Sequence, residues 1–479
     1  MRKLLLLSLT LLLLCSAACM VGPNYKRPAA PVPQSFKEAP PDGWKTAQPN
    51  DGAIRGKWWE VYNDQPLNAL EEQVSITNQN VLAAEADFRA ARYAIRVARA
   101  SLFPTVGVSP TVQISRQAIN FPGESGIIKT YSLPVSASWP VDIWGAVRRS
   151  VHAATASAQS DYALLENARL SYQSELAQEY FEMRGIDGDI DLLTRTVKSY
   201  AEYLTLTQNR YKSGVASGAD VAQAQTQLDT TQAQLIDLGV ARAQYEHAIA
   251  ILIGKPPSEL SLDSKLLKTP PPPTPPALPS ALLERRPDIA AAERQMAAVQ
   301  EQIGIAVAAY YPTLNLTASA GFGPAQFSHG FIWPSRVFSA GVAPSETVFE
   351  GGKRHAQVKE AEALFDASVA SYRETVLGAF QQVEDDLSAL RIYGQEAVAI
   401  EKAVKDAEDS LAISTYQYKA GTVAYLQVLT AQAVALGAER TAVDLLARRM
   451  VSSVLLIQAL GGGWDSKNIP SANDLMQSR

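Results

Sequence analysis

The residues that could do chemistry are few and poorly grouped for it. The only two cysteines, Cys15 and Cys19, lie near the N-terminus, and the four histidines, His152, His247, His329 and His355, are scattered along the chain. That leaves no disulfide framework and no thiolate cage in the body of the protein, and no metal site is expected. There is no Gly-rich phosphate loop, His/Glu zinc spacing or nucleophile elbow. Gly321 and Gly323 follow a strand-like stretch but precede no helix, and Gly461 to Gly463 read as the stop of a long helix. Asp385 and Asp386 read as a solvated helix face. Neither an enzyme nor a cofactor is expected. One thiol has chemistry in prospect. Arg2 and Lys3 precede an apolar run from Leu4 to Leu14, and Ser16, Ala17 and Ala18 lead into Cys19, the layout of a secretory signal peptide over residues 1–18. Cleavage there leaves Cys19 at the new N-terminus, open to acylation.

The small residues before Cys19 resemble a bacterial lipobox, with Ser16 where such motifs usually carry leucine. Cys15, preceded by Leu14, is the weaker site, and plain secretion with an incidental cysteine is the alternative. Each buried methylene adds about 0.8 kcal/mol, so several acyl chains hold a protein durably on a membrane. The residue after the cysteine is Met20 and not aspartate, which in resembling lipoproteins implies the outer membrane. Residues 19–65 then form a lipid-anchored, extended N-terminal segment. No later stretch reads as a transmembrane helix, so a bilayer can be crossed only with strands.

The other residues must build a scaffold. The 479 residues hold 43 Lys+Arg against 48 Asp+Glu, a net charge of -5 that implies no nucleic-acid partner. With 47% apolar and 19% charged residues, global disorder is excluded. Self-comparison is the most informative step. Tyr211, Lys212, Ser213, Gly214 recurs as Tyr418, Lys419, Ala420, Gly421 at a spacing of 207, shared by Gly145 with Gly352 and Gly254 with Gly461. Upstream, Asn80, Glu85 and Pro104 match Asp288, Glu293 and Pro312 at a spacing of 208. The chain is thus an internal duplication, with repeats over 66–254 and 286–462, a Pro-rich connector over 255–285 and a C-terminal tail over 463–479.

Each repeat reads helix, strand, strand, long helix, long helix. No proline interrupts Val141 to Lys255 or Ser345 to Ile469, so long helices are expected over about 143–254 and 350–461. Turns at Gly214 and Gly421 make the first arm of each hairpin about 65 to 70 residues, on the order of 100 Å. The returning arm carries a heptad, Val221, Ala224, Leu228, Thr231, Leu235, Leu238, Arg242, Tyr245, Ile249 and Leu252, repeated from Val428 to Ala459. Packed coiled-coil helices follow from that seam.

Four segments alternate with period two, over about 105–115, 131–140, 313–322 and 336–344. The first three contain no charged residue. Each is about ten residues, enough to cross a bilayer when tilted. Phe103, Trp139, Trp144, Tyr310, Tyr311 and Phe349 lie at their helix-proximal ends, where an interfacial girdle belongs. A soluble sheet with one wet face has the same composition, but nothing else in the chain is available to cover these strands. Four strands leave two open edges, while the smallest barrels have about eight. Two copies would supply eight strands and three would supply twelve, and only the larger leaves room for a conduit.

Here the residues carry a resemblance. Cys19 to Pro28, Trp58 with Trp59, Arg286-Pro287-Asp288 with Glu293, Gly351-Gly352 and the two Tyr-Lys-x-Gly turns are similar to an outer-membrane factor of tripartite efflux systems. The match is to the NodT-type and OprM-like lipoprotein branch of the TolC superfamily, over essentially the whole mature chain. It implies a mainly α protein with a membrane β-barrel: a homotrimer whose twelve-stranded barrel, set in outer-membrane lipid, continues into a periplasmic helical tunnel. It also implies docking to a periplasmic membrane-fusion adaptor and through it to an inner-membrane transporter of the RND type.

Such a protein is a passive exit duct, closed at its periplasmic hairpin tips. By position these tips are Gly214 to Val221 and Gly421 to Val428, with Gly214, Gly218 and Gly421 as expected adaptor contacts. TolC-like members can carry an aspartate pair and an arginine near the second tip, where this chain has Gln427, Thr430 and Val423. Asp220 remains at the first tip, either as part of a cation-attracting ring or as a helix cap. Leu426 and Leu429 form either an apolar constriction or hairpin packing. The rival architecture is a lipid-anchored periplasmic coiled-coil adaptor, which has no need of uncharged strands between its hairpins.

Overall fold

The structure, a computed structural model, describes residues 20–38, 56–118, 125–273, 283–326 and 333–477. Cys15, Cys19 and the signal segment lie outside the described residues, as does the proline run from 274 to 279. The helices are α1 (Gln65–Thr77), α2 (Gln79–Ala100), α3 (Ala146–Lys212), α4 (Gly218–Leu252), α5 (Pro287–Ala308), α6 (Lys353–Ala420), α7 (Tyr425–Ala459) and α8 (Ala472–Gln477). The strands are β1 (Thr105–Val108), β2 (Thr111–Ala118), β3 (Ser125–Val141), β4 (Thr313–Gln326) and β5 (Arg336–Ser345).

The two long helices have 67 and 68 residues, about 100 Å each at 1.5 Å per residue. The α3 helix starts where the Asp142 carboxylate accepts from the amides of Val147 and Arg148, both at 3.0 Å. No Ser or Thr caps α6, and Glu350 instead accepts from the amide of Arg354 at 3.0 Å. Four staves stand side by side. Near the sheet the order is α2, α3, α5, α6; towards the tips it is α4, α3, α7, α6.

The first and third members of the two sets join end to end. At the foot of α4, Asn78 donates to the Leu252 carbonyl at 2.8 Å and Thr77 to the Ile253 carbonyl at 2.6 Å, so α4 runs on into α1 and α2. Arg286 donates to the Ala459 carbonyl at 3.0 Å, joining α7 to α5 in the same way. Both joints need glycine. Gly254 has φ 70° and a Cβ there would lie 2.3 Å from the Thr77 carbonyl; Gly461 has φ 92° and a Cβ would lie 2.1 Å from the Arg285 carbonyl.

One antiparallel sheet sits above the staves, with β3 flanked by β4 on one side and by both β1 and β2 on the other, and β5 beyond β4. The expected first strand is broken between Val108 and Thr111, where Pro110 has no amide to give the ladder. Expected as 131–140, the second strand instead begins at Ser125. Among the described residues the β1/β2 edge and the β5 edge have no partner. Val106, Val112, Phe338 and Val342 are exposed. At the junction with the helices Trp144 stacks on Tyr311 at 4.6 Å and donates to the Pro312 carbonyl, and Trp139 donates to the Leu102 carbonyl.

Two extended straps bind the staves from outside. Residues 20–38 cross α3, α5 and α6. Fully buried Arg149 donates to the carbonyls of Val21 and Gly22 and pairs with Glu301 at 2.8 Å. Tyr25 donates to Glu293, and Glu384 accepts from the amides of Lys37 and Glu38. Burial and then the Glu293 bond push the Tyr25 phenol far above its ordinary range. The second strap, residues 260–268, lies on a buried ion cluster. Asp187 takes Arg184 and Arg242, each at 2.8 Å, while Arg242 also donates to the Leu262 carbonyl at 2.6 Å. Arg242 holds its place in the apolar heptad because this carboxylate, on the facing helix, neutralises it.

Candidate functional site at the hairpin tips

The two hairpins end in the same turn. After α3, the Gly214 amide bonds the Tyr211 carbonyl and the Val215 amide the Arg210 carbonyl; after α6, Gly421 bonds Tyr418 and Thr422 bonds Gln417. Gly214 and Gly421 have φ 75° and 78°, which a left-handed helix end requires. Gly218 is the first residue of α4, and all three glycines are exposed.

The structure gives Asp220 a structural task. It closes a capping box: the Ser217 amide donates to Asp220 at 3.0 Å and the Asp220 amide to the Ser217 hydroxyl at 3.2 Å. Leu426 is 58% exposed, whereas Leu429 packs against the buried cluster of Leu204, Ala224, Tyr418, Tyr425 and Val428. Gln427 and Thr430 are exposed, and the Thr430 hydroxyl is spent on the Leu426 carbonyl at 2.9 Å. Thus Asp220, Leu426, Gln427 and Thr430 lie at the tips, and the only side-chain hydrogen bond among them is the one from Thr430 to the Leu426 carbonyl.

What joins the hairpins is a set of residues of which the sequence reading named only Tyr418 and Lys419, and those as part of a turn. The Arg210 guanidinium lies 4.6 Å from the centre of the Tyr418 ring and donates to the Lys419 carbonyl at 3.2 Å, tying the end of α3 to the end of α6. Tyr418 donates to Thr207 at 3.4 Å, Tyr203 and Thr415 bond at 2.9 Å, and the Tyr418 and Tyr425 rings sit 5.5 Å apart. Burial, then Tyr418 alongside, pushes the Tyr425 phenol up to about 12. A signal was available: the 207 spacing places Gln417 opposite Arg210, so the duplication fails at the residue that does the joining.

Chemically the tips hold caps, ring contacts and the cations Arg210, Lys212 and Lys419, with no nucleophile set beside a base. Among the described residues no three His, Cys, Asp or Glu side chains group as metal ligands, and no helix is long and apolar enough to cross a membrane.

Comparison with known proteins places this geometry. The toluene efflux pump outer membrane protein TtgC of Pseudomonas putida is 29% identical over 472 residues, covering 96% of each chain. Outer membrane protein OprJ of Pseudomonas aeruginosa is 29% identical over 468 residues, again 96% of each. Among solved structures, the outer-membrane channel OprN superposes with a TM-score of 0.84 at 27% identity, over 93% of this chain and all of that one. The CmeC outer membrane channel of Campylobacter jejuni, at 22% identity and a TM-score of 0.86, shares the fold over 95% of this chain and 97% of its own. The family model described as outer membrane efflux protein matches residues 70–255 and 278–462. This chain belongs to the outer membrane efflux protein family.

Proposed function

We propose that this chain is the exit duct of a tripartite efflux system, completed as a homotrimer with a twelve-stranded barrel. The chain is an outer-membrane efflux channel protein and not an enzyme. A lipid-anchored adaptor is not favoured, since relatives aligned over 96% of the chain are named outer membrane proteins. One observation carries the finer reading: a sheet with two unpaired edges continues into helices of 67 and 68 residues. Such a wall segment closes only with further copies of itself. In our reading an inner-membrane transporter of the RND type or a related one supplies the energy, and a periplasmic adaptor meets the tips at Gly214, Gly218 and Gly421. Asp220, Leu426, Gln427, Leu429 and Thr430 surround the periplasmic gate.

Acylation at Cys19 fits the strap. The next residue, Met20, lies against Gly145, and the Val21 amide donates to the Trp144 carbonyl at 3.1 Å. Met20, the residue that follows Cys19 in the sequence, therefore sits at the junction of sheet and helices, where a membrane face belongs. The test is native mass spectrometry of the detergent-solubilised protein together with planar-bilayer recording. A trimer with steady conductance, and loss of palmitate labelling in Cys19→Ala, is expected. A monodisperse monomer that needs no detergent and conducts nothing overturns the proposal.

A further inference from the structure

Inside one chain, α3 and α5 meet along a buried seam. Ala156 packs with Ala297 and Ala298, Ala163 packs with Ala290 and Ala291, and Ser160 donates to the Ala291 carbonyl at 2.9 Å. The duplication says where the same seam lies again. A shift of 207 carries Ala156, Ser160 and Ala163 of α3 to Ala363, Ala367 and Ala370 of α6, and a shift of 208 carries Ala291 and Ala298 of α5 back to Ala83 and Ala90 of α2. All five of these counterparts are exposed on the single chain. They lie on α6 and α2, the outermost staves, directly below the two unpaired sheet edges. Lower down the pattern holds with larger side chains. Gly185 of α3 meets Ala447 of α7 so closely that a Cβ would lie 2.7 Å from it. The counterparts are Ile392 and Val240, which are 47% and 58% exposed.

Charge distinguishes the two seams. Within the chain, Arg149 of α3 pairs with Glu301 of α5; their counterparts are Ala356 and Tyr93. One turn away, alanines Ala153 and Ala297 are replaced by Glu360 and Arg89, both exposed. The internal seam has its cation on the long helix and its anion on the short one. In the open seam the signs are reversed.

Resting on the reading that copies complete the duct, we propose that α6 of one copy packs on α2 and α4 of the next in the register of the internal α3–α5–α7 seam. Ala363 then faces Ala90, and Glu360 pairs with Arg89 of the neighbouring copy. The sign reversal is a specificity device. It favours α6 against a neighbour's α2 and disfavours its pairing with the Glu301-bearing face of α5, because like charges across a closing interface repel.

Cysteine pairs test this on a clean background, since the natural cysteines are both N-terminal. The full-length protein carrying Ala90→Cys and Ala363→Cys is oxidised in membranes and run without reductant. Intermolecular cross-links are expected, with far weaker ones from Ala90→Cys with Ala370→Cys, two turns out of register. Adding Arg89→Glu to the first pair should lower the yield severalfold, and adding Glu360→Arg as well should restore it. Equal cross-linking of both cysteine pairs, or no rescue by the double charge swap, overturns the register and the ion pair respectively. Native mass spectrometry separates the two levels of the reading. An assembled oligomer without the 90–363 link sinks this seam alone, and a monomer sinks the assembled duct with it.

Discussion

Replacing Arg210 with alanine should loosen the tips by a calculable amount. The guanidinium 4.6 Å from the Tyr418 ring is a half-exposed cation–π contact, about 1 kcal/mol. Its hydrogen bond to the Lys419 carbonyl, long at 3.2 Å and open to water, adds about 1 kcal/mol. Parting the two hairpins of one chain must break both. Losing about 2 kcal/mol moves the closed-to-open equilibrium of each copy roughly thirtyfold, at 1.4 kcal/mol per factor of ten. Single-channel recording in planar bilayers reads this as occupancy of the higher-conducting state. Tyr418→Leu should show a similar shift, and the double variant should fall short of the sum by about 1 kcal/mol, because each change removes the same stack. Unchanged occupancy in Arg210→Ala, or strict additivity in the cycle, refutes the claim that this contact holds the hairpins together.

Asp187→Ala strands Arg184 and Arg242 without their shared carboxylate, a loss of about 3–5 kcal/mol; the thermal midpoint in detergent should drop clearly, and an unmoved midpoint denies the cluster its role under the second strap. Asp386 is raised to about 7, first by burial, then by Asp385, with Arg286 opposing. A carboxyl raised in the folded state contributes stability below its unfolded value near 4 and loses it as pH rises through 7, so Asp386→Asn should stabilise by up to about 4 kcal/mol at pH 8 and not at all at pH 3. Denaturation at the two pH values checks it, and an equal effect at both denies the shift. Asp220→Lys and Leu429→Ala should each alter conductance, with Asp220→Asn as the control that keeps a cap acceptor; unchanged conductance in both removes them from the gate.

The periodic and repeated features were legible in the sequence. Spacings of 207 and 208 located both hairpins, both tip glycines and the matched joint glycines, because a duplication repeats backbone needs as well as side chains. The heptad from Val221 to Leu252 is nowhere exposed in the fold. Pairings across the chain were not legible. Arg149 meets Val21 and Glu301 over separations of 128 and 152 residues, and Asp187 meets Arg242 over 55. Such contacts follow from how staves pack, which no local pattern encodes. Arg242 did leave a mark, as a charge in an apolar seam, and Pro110 marked the strand break. At the tips, the sequence supplied the turns and the residues lining them, but Arg210 became visible only as a departure from the repeat.

The glycine joints at Gly254 and Gly461 divide two of the four staves at mid-height, while α3 and α6 run through unbroken. Torque applied at the far end is therefore shared unequally. The continuous members transmit it, and the divided ones can pivot at their joints without dragging their upper halves along. A wall built this way is stiff along two staves and jointed along the other two, so a twist applied at the tips is carried towards the sheet by α3 and α6 alone.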